Sequence, residues 1–421
     1  MKEPYETREQ PKRAFLVGIR EKRGEEESLQ ELAGLADTLG LEIAAQETVY
    51  IRERHPKFGM GTGKAAELAE KAASLSADCL IFDGELSPSQ QRNWETMTGI
   101  PAIDRQELII QIFASRAKTR EAELQVALAE LSYSLPRLRH KYIDLARQRG
   151  GSYGSKGAGE TRLETDRRLV EKRIFTLEQE LAEVRKNREL QRKKRERRGI
   201  PSCALVGYTN AGKSSLLNAM TKADVLVEDK RFATLDTTTR QLELRKGRPL
   251  LLIDTVGFIR RLPHTLVDAF RSTLEEAAHA DMLIHVLDAS DPNLDRYFET
   301  TRSVLRELGA DTLPMITALN KTDRLENPET LKSLRKRYSG GIPISAKDRT
   351  GLDELVLRME ESLFGEITRF RFPQDRHDLS GLLRRSGTVL SEQYEGAAIQ
   401  VEARVETRIR EMLREYVATA E

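Results

Sequence analysis

Cysteine is almost missing from this chain: 421 residues contain only Cys79 and Cys203. Each lies in a short apolar run that reads as a buried strand. The pair therefore reads as two reduced core thiols, which excludes a disulfide framework or a thiolate metal site. His55, His140, His264, His279, His285 and His377 are scattered without ligand spacing, which removes a histidine-built metal centre. Excess charge of either sign is also lacking. The formal net charge is +2, so no whole-molecule field marks a DNA partner, and any nucleic-acid role must rest on local patches. No apolar run approaches the roughly 18–20 residues that span a bilayer, so integral membrane insertion is not expected. The start, MKEPYETREQPKR, has no apolar signal-peptide region. The simplest location is cytoplasmic. The length accommodates two to four domains.

Residues 14–18 and 78–83 read as short apolar strands. Between them, 28–38 and 64–75 carry helical spacing. Strands alternating with helices predict a small α/β domain over residues 1–104. From Arg105 the pattern turns helical. Ala117, Leu124, Leu128, Leu131 and Leu135 share one face, and Pro136 is expected to limit that helix. A second helix is expected from about Glu164. Val170, Ile174, Leu177, Leu181 and Val184 form its heptad seam. A seam needs a partner. An antiparallel hairpin over 105–199 within a monomer supplies one; a homodimeric coiled coil is the alternative. The connecting tip, RQRGGSYGSKGAGETR, has glycines at 150, 151, 154, 157 and 159. Arg147, Arg149, Lys156 and Arg162 lie among them, with Tyr153 as a stacking face. Such a tip has almost no apolar surface with which to build a core. It can follow a phosphate backbone closely, because glycine removes the Cβ obstruction. Arginine can fork onto phosphate or stack on an exposed base. A solvated surface loop is the competing reading. The basic run 185–198 precedes Gly199-Ile200-Pro201, which stops the helix and opens a new domain.

Residues 200–366 repeat a strand–helix rhythm. The strands are Cys203–Val206, Leu250–Ile253, Met282–Leu287, Met315–Leu319 and Ile342–Ile344. This predicts a mostly parallel sheet with helices on both faces. Residues 367–421 contain Phe370-Arg371-Phe372, the alternating run 399–403, and an amphipathic end with Ile409, Met412, Leu413 and Val417. They read as a small α+β domain.

Chemistry concentrates in the third segment. Gly207-Tyr208-Thr209-Asn210-Ala211-Gly212-Lys213-Ser214 matches GxxxxGK[ST] between an apolar strand and a helical run, the context of a phosphate-binding loop. Its backbone N–H groups can cradle phosphates. Lys213 supplies charge to the β- and γ-phosphates, and the Ser214 hydroxyl suits Mg²⁺. Asp254-Thr255-Val256-Gly257 ends the next strand. A carboxylate there can hold the metal through water, and the Gly257 N–H can meet a γ-phosphate. Asn320-Lys321-Thr322-Asp323 ends a further strand. Asp323 can accept both guanine N1–H and N2–H, a pairing adenine cannot offer. Ser345-Ala346-Lys347 follows the next, where a backbone N–H can meet guanine O6. Four weak signatures in this order at strand ends of one sheet predict a P-loop GTPase binding GTP and GDP. The segment 231–240 must hold the threonine that completes the metal shell and senses the γ-phosphate. Phe232, Ala233, Thr234, Leu235 and Asp236 lie there, and Thr234, Thr237, Thr238 and Thr239 compete.

Phe258 stands where many small GTPases place a water-orienting glutamine. Phenylalanine cannot hydrogen-bond that water, so slow basal hydrolysis is expected unless another group acts. Gly59-Met60-Gly61-Thr62-Gly63-Lys64 mimics a second phosphate loop. It is one residue short, and Ala65 replaces the metal-binding hydroxyl. It reads either as a second nucleotide site or as a turn capping the helix from Ala65 to Leu75.

The stretches IFDGELSPSQQRNWE, IFASRAKTREAELQVALAELSYSLPRLR, GAGETRLETDRR and RFATLDTTTR resemble the HflX family of bacterial ribosome-associated GTPases over nearly the whole chain. The resemblance implies that Thr234 is the switch threonine, with Thr237 replacing the usual proline of that loop. It also fits Phe258, because the family carries an apolar residue after its DxxG motif. It implies binding to the large (50S) ribosomal subunit and its rRNA, stimulation by the ribosome, and splitting of stalled ribosomes under stress. The tip at 147–162 would reach toward the peptidyl-transfer centre. Some members are described as binding ATP through the N-terminal domain, which bears on Gly59–Lys64. Asn210 would help hold K⁺ beside the phosphates, or would only shape the loop.

Overall fold

The computed structural model describes residues 13–21, 29–148, 156–197, 200–221, 238–244, 248–259, 276–405 and 407–418. The chain divides into two compact units.

The first unit opens with β1 (Arg13–Arg20), α1 (Gln30–Thr38), β2 (Glu42–Tyr50), α2 (Thr62–Ser74), β3 (Cys79–Phe82), α3 (Pro88–Thr98) and β4 (Ala102–Asp104). The strands form a parallel sheet in the order β2-β1-β3-β4. The two central strands are covered on both faces and are apolar almost throughout, as a parallel sheet requires. Sequence reading had anticipated those two and missed the edges. In β2, Glu42 is exposed, Glu47 and the alanines are half-buried, and no apolar period emerges. Helix α3 was also missed, although its signal was legible. Ser87 and Gln90 form a reciprocal capping box, with Pro88 in the first turn.

Three helices follow: α4 (Arg105–Arg116), α5 (Arg120–Gln148) and α6 (Lys156–Arg197). Three expectations are corrected here. The first long helix is two, because Ala117 is extended and the Thr119 hydroxyl accepts from Ala122 N at 3.2 Å, capping a fresh start. Pro136 does not end α5 but lies inside it. In the turn that the ring disturbs, the Arg137 guanidinium donates to Tyr133 O at 3.0 Å and to Leu86 O at 3.0 Å, so tertiary contacts outweigh the proline's preference. Helix α6 starts at Lys156, not Glu164, so Gly157 and Gly159 are helical. A helix once nucleated gains a bond per added residue, and two glycines near its end do not stop it. The seam finds its partner within the chain. Leu177 and Leu181 are buried against Leu124, with Leu128, Leu131 and Val184 around them. Arg188 pairs with Glu121 at 2.8 Å.

The second unit runs β5 (Ser202–Val206), α7 (Lys213–Thr221), β6 (Thr238–Glu243), β7 (Pro249–Asp254), β8 (Met282–Asp288), α8 (Leu294–Glu307), β9 (Met315–Asn320), α9 (Pro328–Arg337), β10 (Ile342–Pro343) and α10 (Leu352–Phe364). The sheet order is β10-β9-β8-β5-β7-β6, parallel except for the edge strand β6. Alternation along β8 assigns the two faces. Met282, Ile284 and Val286 pack with Leu216 and Leu217 of α7 and Leu355 and Met359 of α10. His285 and Leu287 turn the other way, toward α8 and α9. This is the P-loop GTPase fold, with a mostly parallel sheet covered on both sides.

The chain closes with β11 (Glu366–Pro373), α11 (His377–Ser386), β12 (Gly387–Glu395), β13 (Ala398–Val405) and α12 (Thr407–Met412). The antiparallel order is β11-β13-β12. Phe370, Phe372, Ile399, Val401 and Ala403 supply its core together with Leu379 and Leu383 of α11. A buried pair, Arg404 with Glu360 of α10 at 3.1 Å, ties this small sheet to the preceding helix.

Candidate functional site

The four sequence signatures lie at the carboxyl ends of β5, β7, β9 and β10, where an open α/β sheet places its ligand. Residues 207–212 leave β5 and feed directly into α7, whose first residue is Lys213. A helix start with this loop before it aims backbone N–H groups at one small volume, an arrangement that favours an anion. Lys213 Nζ donates to Gly207 O and Tyr208 O, both at 3.0 Å. Its side chain is buried. Burial pushes its pKa down to about 8, and Asp254 offsets this only in part. Ser214 Oγ donates to Asp254 Oδ2 at 2.6 Å. Hydroxyl and buried carboxylate thus share one spot beside the lysine, and an oxygen-only pair of this kind suits a hard divalent cation.

Close approach explains two glycines. A Cβ at Gly212, whose φ is +93°, would meet Asn320 Nδ2 at 2.3 Å. One at Gly257 would meet Thr209 Cα at 2.8 Å and Lys213 Nζ at 3.0 Å. The residues after β7 are stitched to the loop itself. Thr209 N donates to Phe258 O at 2.8 Å and Phe258 N to Gly207 O at 3.0 Å. Thr255 Oγ1 donates to Leu205 O at 2.6 Å. Val256 and Phe258 are buried. Asn210, with φ +63°, is exposed in the left-handed region that asparagine tolerates.

Asn320 bridges the two halves of the site. Its Nδ2 donates to Ala211 O at 2.9 Å, and its Oδ1 accepts from Ala346 N at 3.0 Å. Asp323 Oδ1 accepts from Ser345 Oγ at 2.7 Å, which aligns the carboxylate from behind. Thr322 Oγ1 donates to Ile344 O at 2.9 Å, and Lys321 Nζ pairs with Asp288 at 2.8 Å. Lys347 is exposed at the rim. These contacts join residues more than 100 positions apart in sequence into one hydrogen-bonded array.

The chain is similar to known GTPases along most of its length. A family model described as "50S ribosome-binding GTPase" matches residues 202–321. Models described as "GTP-binding GTPase N-terminal" and "GTP-binding GTPase Middle Region" match 26–114 and 116–195. The GTPase HflX of Akkermansia muciniphila is 46% identical, covering 93% of this chain and 94% of its own. That of Caldanaerobacter subterraneus is 44% identical over 96% and 94%. That of Escherichia coli is 42% identical over 82% and 80%. The chain belongs to the HflX family of GTPases.

As an HflX-family member it is a GTP hydrolase. Among the residues singled out from sequence, Phe232, Ala233, Thr234, Leu235, Asp236 and Thr237 lie outside the described residues, as do Arg149 and Tyr153 of the tip. Arg147 is in α5, and Lys156 and Arg162 are in α6. The Gly59–Lys64 segment departs from a phosphate loop. No strand runs directly into it, Met60 is buried, and Lys64 is engaged by Glu47 at 3.1 Å and Glu67 at 2.8 Å. Helix α3 pins the approach to it: Asn93 Nδ2 donates to Lys57 O at 2.8 Å and Trp94 Nε1 to Phe58 O at 3.2 Å. No described helix is long and apolar enough to cross a membrane, and the described residues hold no cluster of three metal-ligating side chains of His, Cys, Asp and Glu type. Both cysteines are free and buried, and burial raises both thiol pKa values.

Sequence reading missed what lies beneath the loop. His285 is wholly buried in β8, and neither ring nitrogen has a partner among the described residues. Burial pushes it down to about 3, with Lys213 and Arg302 adding to the shift, so it stays neutral and acts as a packing ring against Phe298. Tyr297 stacks on Tyr208 of the loop. No spacing rule links either pair, because the partners come from different strands and helices.

Proposed function

We propose that this GTPase holds GTP and GDP with Mg²⁺ at the pocket walled by residues 207–214, 254–257, 320–323 and 345–347, and that it works on the large ribosomal subunit in the cytoplasm. The observation that carries the nucleotide reading is the Asn320 bridge, which locks a phosphate-type loop to a guanine-type loop in one wall. Residues Gly207, Tyr208, Thr209, Asn210, Ala211 and Gly212 wrap the phosphates. Lys213 meets the β–γ region as a catalytic charge, and Gly257 N–H meets the γ-phosphate. Asn320, Lys321, Thr322, Asp323, Ser345, Ala346 and Lys347 read guanine. Ser214 and Thr234 would hold the Mg²⁺, which supplies charge neutralisation at the phosphates. Asn210 would help hold K⁺. Phe232–Asp236 would form the switch that senses the γ-phosphate. Phe258 lies buried and carries no polar group, so the attacking water lacks a side-chain orienter at this position. Slow intrinsic turnover with stimulation by the ribosome follows.

The match of residues 202–321 to the 50S ribosome-binding GTPase family supports the ribosomal partner. We infer a division into an α/β domain at 1–104, a helical hairpin at 105–199, the G domain at 200–366 and a small domain at 367–421. Arg147, Arg149, Tyr153, Lys156 and Arg162 at the head of the hairpin would meet rRNA, and the action would be to split or rescue stalled ribosomes. The test is phosphate release with and without purified 50S subunits, for the wild type and for a chain whose residues 149–155 are replaced by a short turn. Strong stimulation of the wild type, lost in the shortened chain with intrinsic hydrolysis intact, is expected. Absence of stimulation refutes the ribosomal reading, and full stimulation of the shortened chain refutes the role of the tip.

A further inference from the structure

We propose that Tyr297, on α8, is a positioning residue for the phosphate loop: its stacked ring holds Tyr208, and through it the carbonyls that aim Lys213. This inference rests on the nucleotide site proposed above.

The rings of Tyr208 and Tyr297 lie 3.8 Å apart at 15°. Tyr208 is the second residue of the loop and is 2% exposed, so its ring points down into the domain. Its carbonyl accepts Lys213 Nζ at 3.0 Å and Ala211 N at 3.3 Å. The ring therefore anchors the peptide whose oxygen steers the lysine, and a shift of the ring moves that oxygen.

Helix α8 is itself held firmly. Phe298, the next residue, stacks on His285 at 5.1 Å and meets Tyr338 at 5.0 Å. Asp295 accepts from the Tyr338 hydroxyl and pairs with Arg337 of α9 at 2.8 Å. The loop entering α8 is joined to the guanine-type segment, because Ala289 N donates to Asn320 O at 2.8 Å and Asp288 pairs with Lys321 at 2.8 Å. Contacts thus run from residues 320–321 through the start of α8 to the phosphate loop. Among them the Tyr297 ring is the element that touches the loop from below.

An aromatic pair of this geometry contributes enough to shift an equilibrium by about two- to tenfold. If the stack pre-sets the binding conformation, its loss raises the ordering cost of binding by the same factor. Because Lys213 also serves the transition state, kcat should fall as well.

The experiment compares wild type with Tyr297→Leu, Tyr297→Phe and Tyr297→Trp. It measures dissociation of a fluorescent GDP analogue, intrinsic kcat, and a thermal melt. Tyr297→Leu fills the space without a ring. It is expected to dissociate about two- to tenfold faster with lower kcat. Tyr297→Phe keeps the ring and is expected to restore wild-type dissociation, which a mere loss of hydroxyl bonding would not. Tyr297→Trp keeps a stack and should change its emission on GDP addition, after subtraction of the signal from Trp94 in wild type. Wild-type values in Tyr297→Leu, a Phe variant as impaired as the Leu variant, or a silent Trp would each overturn the role. Failure of the wild type itself to bind the analogue would instead refute the nucleotide site.

Discussion

Raising the pH from 7 to 9 should weaken guanine-nucleotide binding about tenfold through Lys213 alone. In the nucleotide-free protein this ammonium is buried and sits at about pKa 8. Phosphate oxygens favour the charged form, so binding restores the pKa toward or above the ordinary 10.5 of a lysine. With a free-state value of about 8, the protonated fraction is about nine-tenths at pH 7 and about one-tenth at pH 9, and affinity follows that ratio. The sign for folding runs the other way. The folded pKa lies below the unfolded one, so the burdened lysine costs stability below about pH 8, and that cost is relieved as pH rises toward 10.5. Titration of GDP by calorimetry at pH 7, 8 and 9, in buffers of different ionisation enthalpy, would show proton uptake on binding at pH 8–9. Lys213→Arg is the control, since a guanidinium keeps its charge throughout, and guanine's own titration affects both chains equally. Equal GDP affinity at pH 7 and 9, or the same decline in the Arg variant, would refute the reasoning.

Three other outcomes are expected. Asp323→Asn should shift preference from guanine to xanthine nucleotides, because one carboxylate acceptor becomes a donor; competition binding with GDP and XDP checks it, and an unchanged preference would remove the base-reading role. Glu360→Ala should lower stability by about 3–5 kcal/mol, since it strands a guanidinium that is 7% exposed in the folded protein, as a denaturant midpoint would show. Replacing K⁺ by Na⁺ should lower intrinsic turnover if Asn210 serves the cation; equal rates in both salts leave it as a loop-shaping residue with φ +63°.

The candidate nucleotide site could be proposed from sequence because its parts are local. Glycine, lysine and hydroxyl at GxxxxGK[ST] act within one loop, and each partner motif ends its own apolar strand, so strand order and chemistry could be read together. The C-terminal sheet was legible for a similar reason: Phe370 and Phe372 are buried and Arg371 is exposed, a period of two written in the chain. What stayed hidden depends on partners distant in sequence. Edge strand β2 takes its conformation from pairing with β1, not from its own glutamates and alanines. Helix α5 runs through Pro136 because Arg137 reaches Leu86, 51 residues earlier. The place of Tyr208 is decided by a ring 89 positions later, and Asn320 is turned toward Ala211 by the packing of two strands. Sequence alone determined which residues are the candidates for the chemistry, since that is a matter of residue type and short spacing. Only the tertiary structure decided how they are held, because long-range contacts outweigh local preference wherever a side chain is buried.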